Sequence, residues 1–163
     1  MNPPDLLTDL VLGSSSVLFV TGAGLSADSG LPTYRGIGGL YERTGTDDGV
    51  PIERALSGPM FRRRPELCWK YIHQIEASCR GAEPNLAHRV IAALEGRLPR
   101  VVTLTQNVDG LHARAGSRDL IEIHGNLREL RCTACPWTDR VEDYADLEPV
   151  PRCPACAAVV RPD

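Results

Sequence analysis

Three short apolar runs punctuate the chain: Val17-Leu-Phe-Val20, Val101-Val-Thr-Leu104 and Leu120-Ile-Glu-Ile123. Each is rich in β-branched or aromatic residues and ends in polar or glycine punctuation, the pattern of a buried strand in a parallel sheet. Between them the period changes. Over Pro65–Cys79, residues Cys68, Ile72, Ile75 and Cys79 fall at i, i+4, i+7 and i+11, one apolar helical stripe that reads as packed core. A second helix starts at Pro84-Asn85, carries Leu86, Val90, Ile91 and Leu94 on one face, and stops at Gly96 and Pro99. Gly36 to Pro65 is broken by glycines and prolines and reads as a long mobile loop, with a short helix near Ile52–Ala55. Loops of that length in a compact domain serve as lids or binding segments. Strands alternating with helices imply a parallel α/β sheet. Polar residues follow all three strands, at the carboxyl edge where such sheets bind ligands.

The loop after the first strand is the most specific of these edges. Gly22, Gly24 and Ala27 give G-x-G-x-x-A directly after a strand. Glycines there permit a tight turn and close approach of a ligand, and N–H groups at the following helix start can face a pyrophosphate. The same pattern also occurs in turns that bind nothing. The acidic residue expected about 20 positions later would fall near Tyr41–Glu42, with no strand before it. Instead the loop continues through Asp28, Ser29, Gly30, Pro32 and Arg35, which points to a nucleotide loop with a specialised extension.

At 163 residues the chain suits one domain that buries about 70% of its unfolded surface. Its 42% apolar and 24% charged residues are ordinary for a globular protein. A net charge of −3 leaves no basic footprint, so nucleic acid is not an expected partner. No stretch is long enough to span a membrane, and Met1-Asn-Pro-Pro-Asp5 lacks the positive start of a signal peptide. The expectation is a cytoplasmic protein, monomeric by default. Six cysteines then point to metal or reactivity rather than disulfides. Cys132-Thr-Ala-Cys135 and Cys153-Pro-Ala-Cys156, 17 residues apart, have the spacing of a four-thiolate zinc site. Four thiolates close a tetrahedron and leave no position for water, so the zinc would be structural. Two redox-active pairs are the competing reading, but neither lies in a strand–helix setting.

Asn107 and Asp109 lie in a turn just after the second strand, closed by Gly110. Such residues often cap their own backbone, so each is a structural as well as a chemical candidate. His124 ends the third strand beside a glycine, where a side chain protrudes into a crevice, and histidine is the commonest general base near neutral pH. His88 and His112 read as packing residues, and His73 as a surface residue.

Four blocks in order make the chain resemble the sirtuins, NAD-dependent protein-lysine deacylases: Gly22–Gly36, Thr105-Gln-Asn-Val-Asp-Gly-Leu-His112, Ile121-Glu-Ile-His-Gly125 and the paired cysteines. Trp69 and Pro84-Asn85-Leu-Ala-His88 are similar to the family's helical segment. The resemblance implies a partial Rossmann-like parallel sheet over residues 1–126, with a mobile loop and helical insertion at 36–85. It further implies a zinc-ribbon module at 127–159, and residues 160–163 as the start of a C-terminal part that the family has and this chain lacks. It implies NAD as co-substrate and one structural zinc. Gly22, Ala23 and Gly24 would contact the diphosphate, Asp28 and Arg35 would shape the loop, and Tyr34 would replace the family's phenylalanine beside nicotinamide. Gln106, Asn107 and Asp109 would line the nicotinamide and ribose pocket, and His124 would be the general base, with the zinc remote from the chemistry.

The substrate so implied is an acylated-lysine protein or peptide. Members that remove acidic acyl groups carry Tyr and Arg three residues apart after the tryptophan. Ile72 and Ile75 stand there instead, which implies acetyl or longer apolar acyl groups. Two other functions stay open from sequence: a non-catalytic zinc-bearing interaction module, and a protein ADP-ribosyltransferase.

Overall fold

The computed structural model describes residues 3–33 and 46–163; Tyr34, Arg35 and the loop through residue 45 lie outside the described residues. The three apolar runs become β1 (Val17–Thr21), β2 (Val101–Thr105) and β3 (Leu120–Glu122), a parallel sheet in the order β1-β2-β3. The register sets Leu18 beside Val102, Val20 beside Leu104, and Leu104 beside Ile121. These strands are not buried on both faces, as their apolar runs suggested. Thr21, Val101, Thr103 and Thr105 are buried, whereas on the other face Leu18 is 58% and Val20 64% exposed, with Ile121 and Ile123 each 48%. Successive side chains alternate sides, so one covered face leaves every second residue bare.

A helix absent from the sequence reading, α1 (Pro3–Leu12), precedes the sheet. Two prolines suit its first turn, but Leu7, Leu10 and Leu12 are exposed, so no buried stripe betrays it. After β1 comes a single turn, α2 (Ala23–Ser26), then a 3-10 turn closed by Gly30 at φ 81°. The stretch read as loop holds α3 (Ile52–Ala55), as expected, and also α4 (Gly58–Arg63). Ser57 caps α4 by accepting the Met60 N–H at 3.3 Å, and Pro59 sits in the first turn, so its glycine and proline are start signals rather than breakers. α5 (Pro65–Cys79) and α6 (Leu86–Leu94) match their patterns. Asn85 caps α6 by accepting the N–H groups of Ala87 and His88. A short α7 (Leu111–Ala115) links β2 to β3.

The cysteine region forms a second, antiparallel sheet, with β4 (Glu129–Cys132) between β5 (Thr138–Arg140) and β6 (Val160–Pro162). Val160–Pro162 pair with β4. The segment between the cysteine pairs, charged and proline-rich, still supplies Tyr144, 2% exposed, whose hydroxyl donates to the Leu127 carbonyl. The module docks on α5 through Trp69, fully buried, whose Nε1–H donates to the Val160 carbonyl at 2.9 Å. An indole so placed combines a large apolar contact with one directional bond. His73, expected at the surface, is half-buried between Trp69 and Tyr144, with ring centroids at 5.4 and 5.6 Å. No described helix is long and apolar enough to cross a membrane.

Candidate functional site

The glycine loop and the β2–α7 turn are stitched together by side chains. Asn107 Nδ2 donates to the Gly22 carbonyl at 3.1 Å and to Ser26 Oγ at 3.0 Å. Ser26 Oγ in turn donates to Asp109 Oδ2 at 2.7 Å, and Asp109 Oδ1 accepts the Leu111 N–H at 2.9 Å. Both carboxylate oxygens of Asp109 are thus committed to positioning, one to its own turn and one to the loop 83 residues away. Ser26, 2% exposed, is the residue the sequence reading passed over. Its only signal was a hydroxyl at a position where α2 otherwise offers apolar or small residues.

Of the two reasons expected for these glycines, a tight turn and close approach of a ligand, the backbone does not require the first. Gly22 is extended (φ −150°, ψ −170°) and Gly24 lies inside α2, so neither backbone demands glycine. A Cβ at either would meet nothing within 4 Å. The space over both is open, and a side chain would fill it, as it would the seat of a ligand lying against the backbone.

His124 lies two residues beyond β3, not at its end, in an exposed turn where the Gly125 N–H donates to the Glu122 carbonyl at 3.0 Å. The turn is pinned from two sides. The Asn126 N–H donates to the Asp163 carbonyl at 3.0 Å, and the Leu127 N–H to the Val108 carbonyl at 3.2 Å. Asn126 Nδ2 also donates to Glu122 Oε1 at 2.8 Å; burial raises the Glu122 pKa above the ordinary carboxyl range, with that bond opposing. Gly125 adopts φ 76° and passes directly against the Asp163 backbone, so here both conformation and space require glycine.

These pieces frame a cavity of about 650 Å³. Ala23, Gln106, Asn107, Asp109 and His124 lie on its wall, while Asp28 is exposed in the 3-10 turn beyond. The opposite wall is apolar: Leu56, Phe61, Ile72 and Ile75. Ile75 is core as read, 5% exposed, and with Ile72 and Cys79, which pack against that core, it also lines the cavity; Cys68 is buried and its thiol donates to the Ala55 carbonyl at 2.7 Å. Desolvation pushes the Cys79 thiol pKa up to about 11. Arg161 reaches the wall from β6, its guanidinium 5.8 Å from the Phe61 ring centre. The last strand of the cysteine module thus forms part of the cavity and backs the His124 turn, while none of the four paired cysteines lines it.

Cys132, Cys135, Cys153 and Cys156 bring their sulfur atoms within 4.8 Å of one another, with none in a disulfide. Sγ separations are 3.4 Å for Cys132–Cys156 and 3.6 Å for both Cys135–Cys153 and Cys135–Cys156. Four thiolates about 2.3 Å from one zinc stand about 3.8 Å apart, so the donor set fits a tetrahedral zinc with little adjustment.

Residues 22–163 match the Sir2 family. An "NAD-dependent protein deacylase 2" of Pseudomonas syringae pv. tomato is 54% identical over 149 residues, which cover 90% of this chain and 60% of that protein. A solved Sir2 homolog–NAD complex superposes with a TM-score of 0.81 at 39% identity, over 97% of this chain and 59% of the other. A Sir2 complex with a deacetylated p53 peptide and 3′-O-acetyl ADP ribose gives 0.78 at 31% identity, over 100% and 64%. The chain spans about 60% of the length of the curated relatives it matches.

Proposed function

Because the chain belongs to the Sir2 family, we propose that the protein removes acetyl or other apolar acyl groups from lysine side chains, with NAD as co-substrate. The products are nicotinamide and O-acyl-ADP-ribose. One observation carries this reading: a single cavity in which the glycine loop, the Asn107–Asp109 turn and His124 face an apolar wall. NAD, when bound, supplies the electrophilic ribose carbon, a ribose hydroxyl and the leaving nicotinamide.

The chain's own residues then have separable tasks. Gly22, Ala23 and Gly24 hold the diphosphate against open backbone, and Asp28 shapes the loop. Gln106 and Asn107 line the nicotinamide and ribose end, and Asp109 fixes the loop through Ser26. His124 accepts a proton on its imidazole from the ribose hydroxyl, the role of a general base. Ile72 and Ile75 offer an acyl chain an apolar wall and no partner for a carboxylate. Zinc on the four cysteines holds the module that backs the His124 turn.

The test uses the zinc-loaded product of the complete reading frame, NAD and an acetyl-lysine peptide. Nicotinamide and O-acetyl-ADP-ribose should form in equal amounts. His124→Ala should abolish both while zinc content stays unchanged; full activity in that variant would sink the assignment. A succinyl peptide turned over faster than the acetyl peptide would refute the acyl class.

A further inference from the structure

Two histidines off the cavity wall are among the most deeply buried side chains of the protein, His88 at 0% and His112 at 1% exposed. Their rings meet edge to face with centroids 4.8 Å apart. Each uses one nitrogen outward. His88 Nδ1 lies 3.3 Å from the Asn85 backbone nitrogen and 3.0 Å from Asn85 Oδ1, and His112 Nε2 lies 2.9 Å from Thr21 Oγ1. The remaining nitrogens, His88 Nε2 and His112 Nδ1, are buried with no hydrogen-bond partner. Protein interiors rarely leave such atoms unpaired.

The outer bonds fit one assignment of the protons, in which the Asn85 N–H rather than Asn85 Oδ1 is the partner of His88 Nδ1. Asn85 Oδ1 already accepts the Ala87 and His88 N–H groups, and in the reciprocal capping box the Asn85 N–H donates to His88 Nδ1. His88 then carries its proton on Nε2, so its unpaired nitrogen is a donor. With the Thr21 hydroxyl accepting from Nε2, the direction the relay requires, His112 presents Nδ1 as an acceptor. We infer that His88 and His112 are positioning residues for the cofactor loop, a neutral pair joined from Nε2–H to Nδ1 through one buried water. The ends of this relay hold both sides of the glycine loop. Asn85 Nδ2 donates to the Leu25 carbonyl in α2 at 2.7 Å, and Thr21 is the residue before Gly22.

The relay runs in one direction only, so it works only while both rings are neutral. A proton on either ring leaves a charge buried. Desolvation lowers the pKa of both rings, and the His88 field lowers that of His112 further. Asp109 is the charged group that acts on both in the opposite sense, but Ser26 and Leu111 occupy its oxygens. Asn85 and Thr21, the other groups bonded to the pair, are neutral.

The readout rests on the NAD reading above, so the test has two arms. In the zinc-loaded product of the complete reading frame, ADP-ribose affinity should fall about tenfold or more from about pH 7.5 to about pH 5. The double variant His88→Asn, His112→Gln keeps the outer bonds and its pair cannot be protonated, so it should lose the acid fall. No acid fall in the parent, or the same fall in the double variant, overturns the inference. Long-range ¹H–¹⁵N NMR of the imidazoles needs neither variant nor ligand. Two neutral Nε2–H tautomers at about pH 6.5 support the relay; an imidazolium or an Nδ1–H tautomer at either residue overturns it. Failure to bind ADP-ribose at any pH would count against the NAD reading, and the tautomers would still decide the pair.

Discussion

Replacing Gly125 by alanine should unfold the site from the middle. The new Cβ would overlap the Asp163 carbonyl outright, at a residue already held at φ 76°. A left-handed backbone costs an L-residue about 1–2 kcal/mol. To restore contact distance the Asp163 carbonyl must retreat by more than about 1 Å, at the expense of its bond from the Asn126 N–H. Asn126 is buried, and an orphaned buried N–H costs a further 1–3 kcal/mol or so. The total is about 2–5 kcal/mol, a large part of a typical domain's stability. Thermal unfolding of the zinc-loaded protein should show Tm lowered by about 10 °C. Gly24→Ala is the matched control. Its Cβ meets nothing in the protein, so stability should hold or rise slightly with the better helix former, while NAD binding weakens through occlusion of the loop. A Gly125→Ala protein with unchanged Tm would refute the close approach of Asp163 to the His124 turn.

Chelating the metal should abolish deacylation as well as unfold the cysteine module, because β6 and Asp163 support the His124 turn. Metal release followed by dye, with activity intact, would contradict that linkage. Glu122 makes a pH prediction of definite sign. Its pKa is raised on folding by burial, so above the unfolded value the native state binds more protons, and stability falls as pH rises toward the folded pKa. Glu122→Gln keeps an acceptor for Asn126 and should be more stable than the parent at neutral pH, with the difference vanishing in denaturant titrations at about pH 4.

The sequence by itself determined what depends on near neighbours along the chain. β-branched runs gave three strands, Asn85 marked a helix start through its cap, and the cysteine spacing placed four thiols on one centre. Each signal spans a few residues or one short repeat. The resemblance to sirtuins then named the residues around the cavity, of which Ala23, Gln106, Asn107, Asp109 and His124 meet on its wall. Tertiary structure alone decided which partner each residue faces. An apolar stripe on α5 looks the same in sequence whether Ile72 and Ile75 touch core or cavity. The need for glycine at position 125 arises from a strand end 38 residues away that turns back from the cysteine module. The unpaired nitrogens of His88 and His112 belong to two helices, and only their packing brings one donor and one acceptor together. Local periodicity fixes which faces are apolar; the approach of chain segments distant in sequence fixes what those faces, and the polar atoms between them, can do.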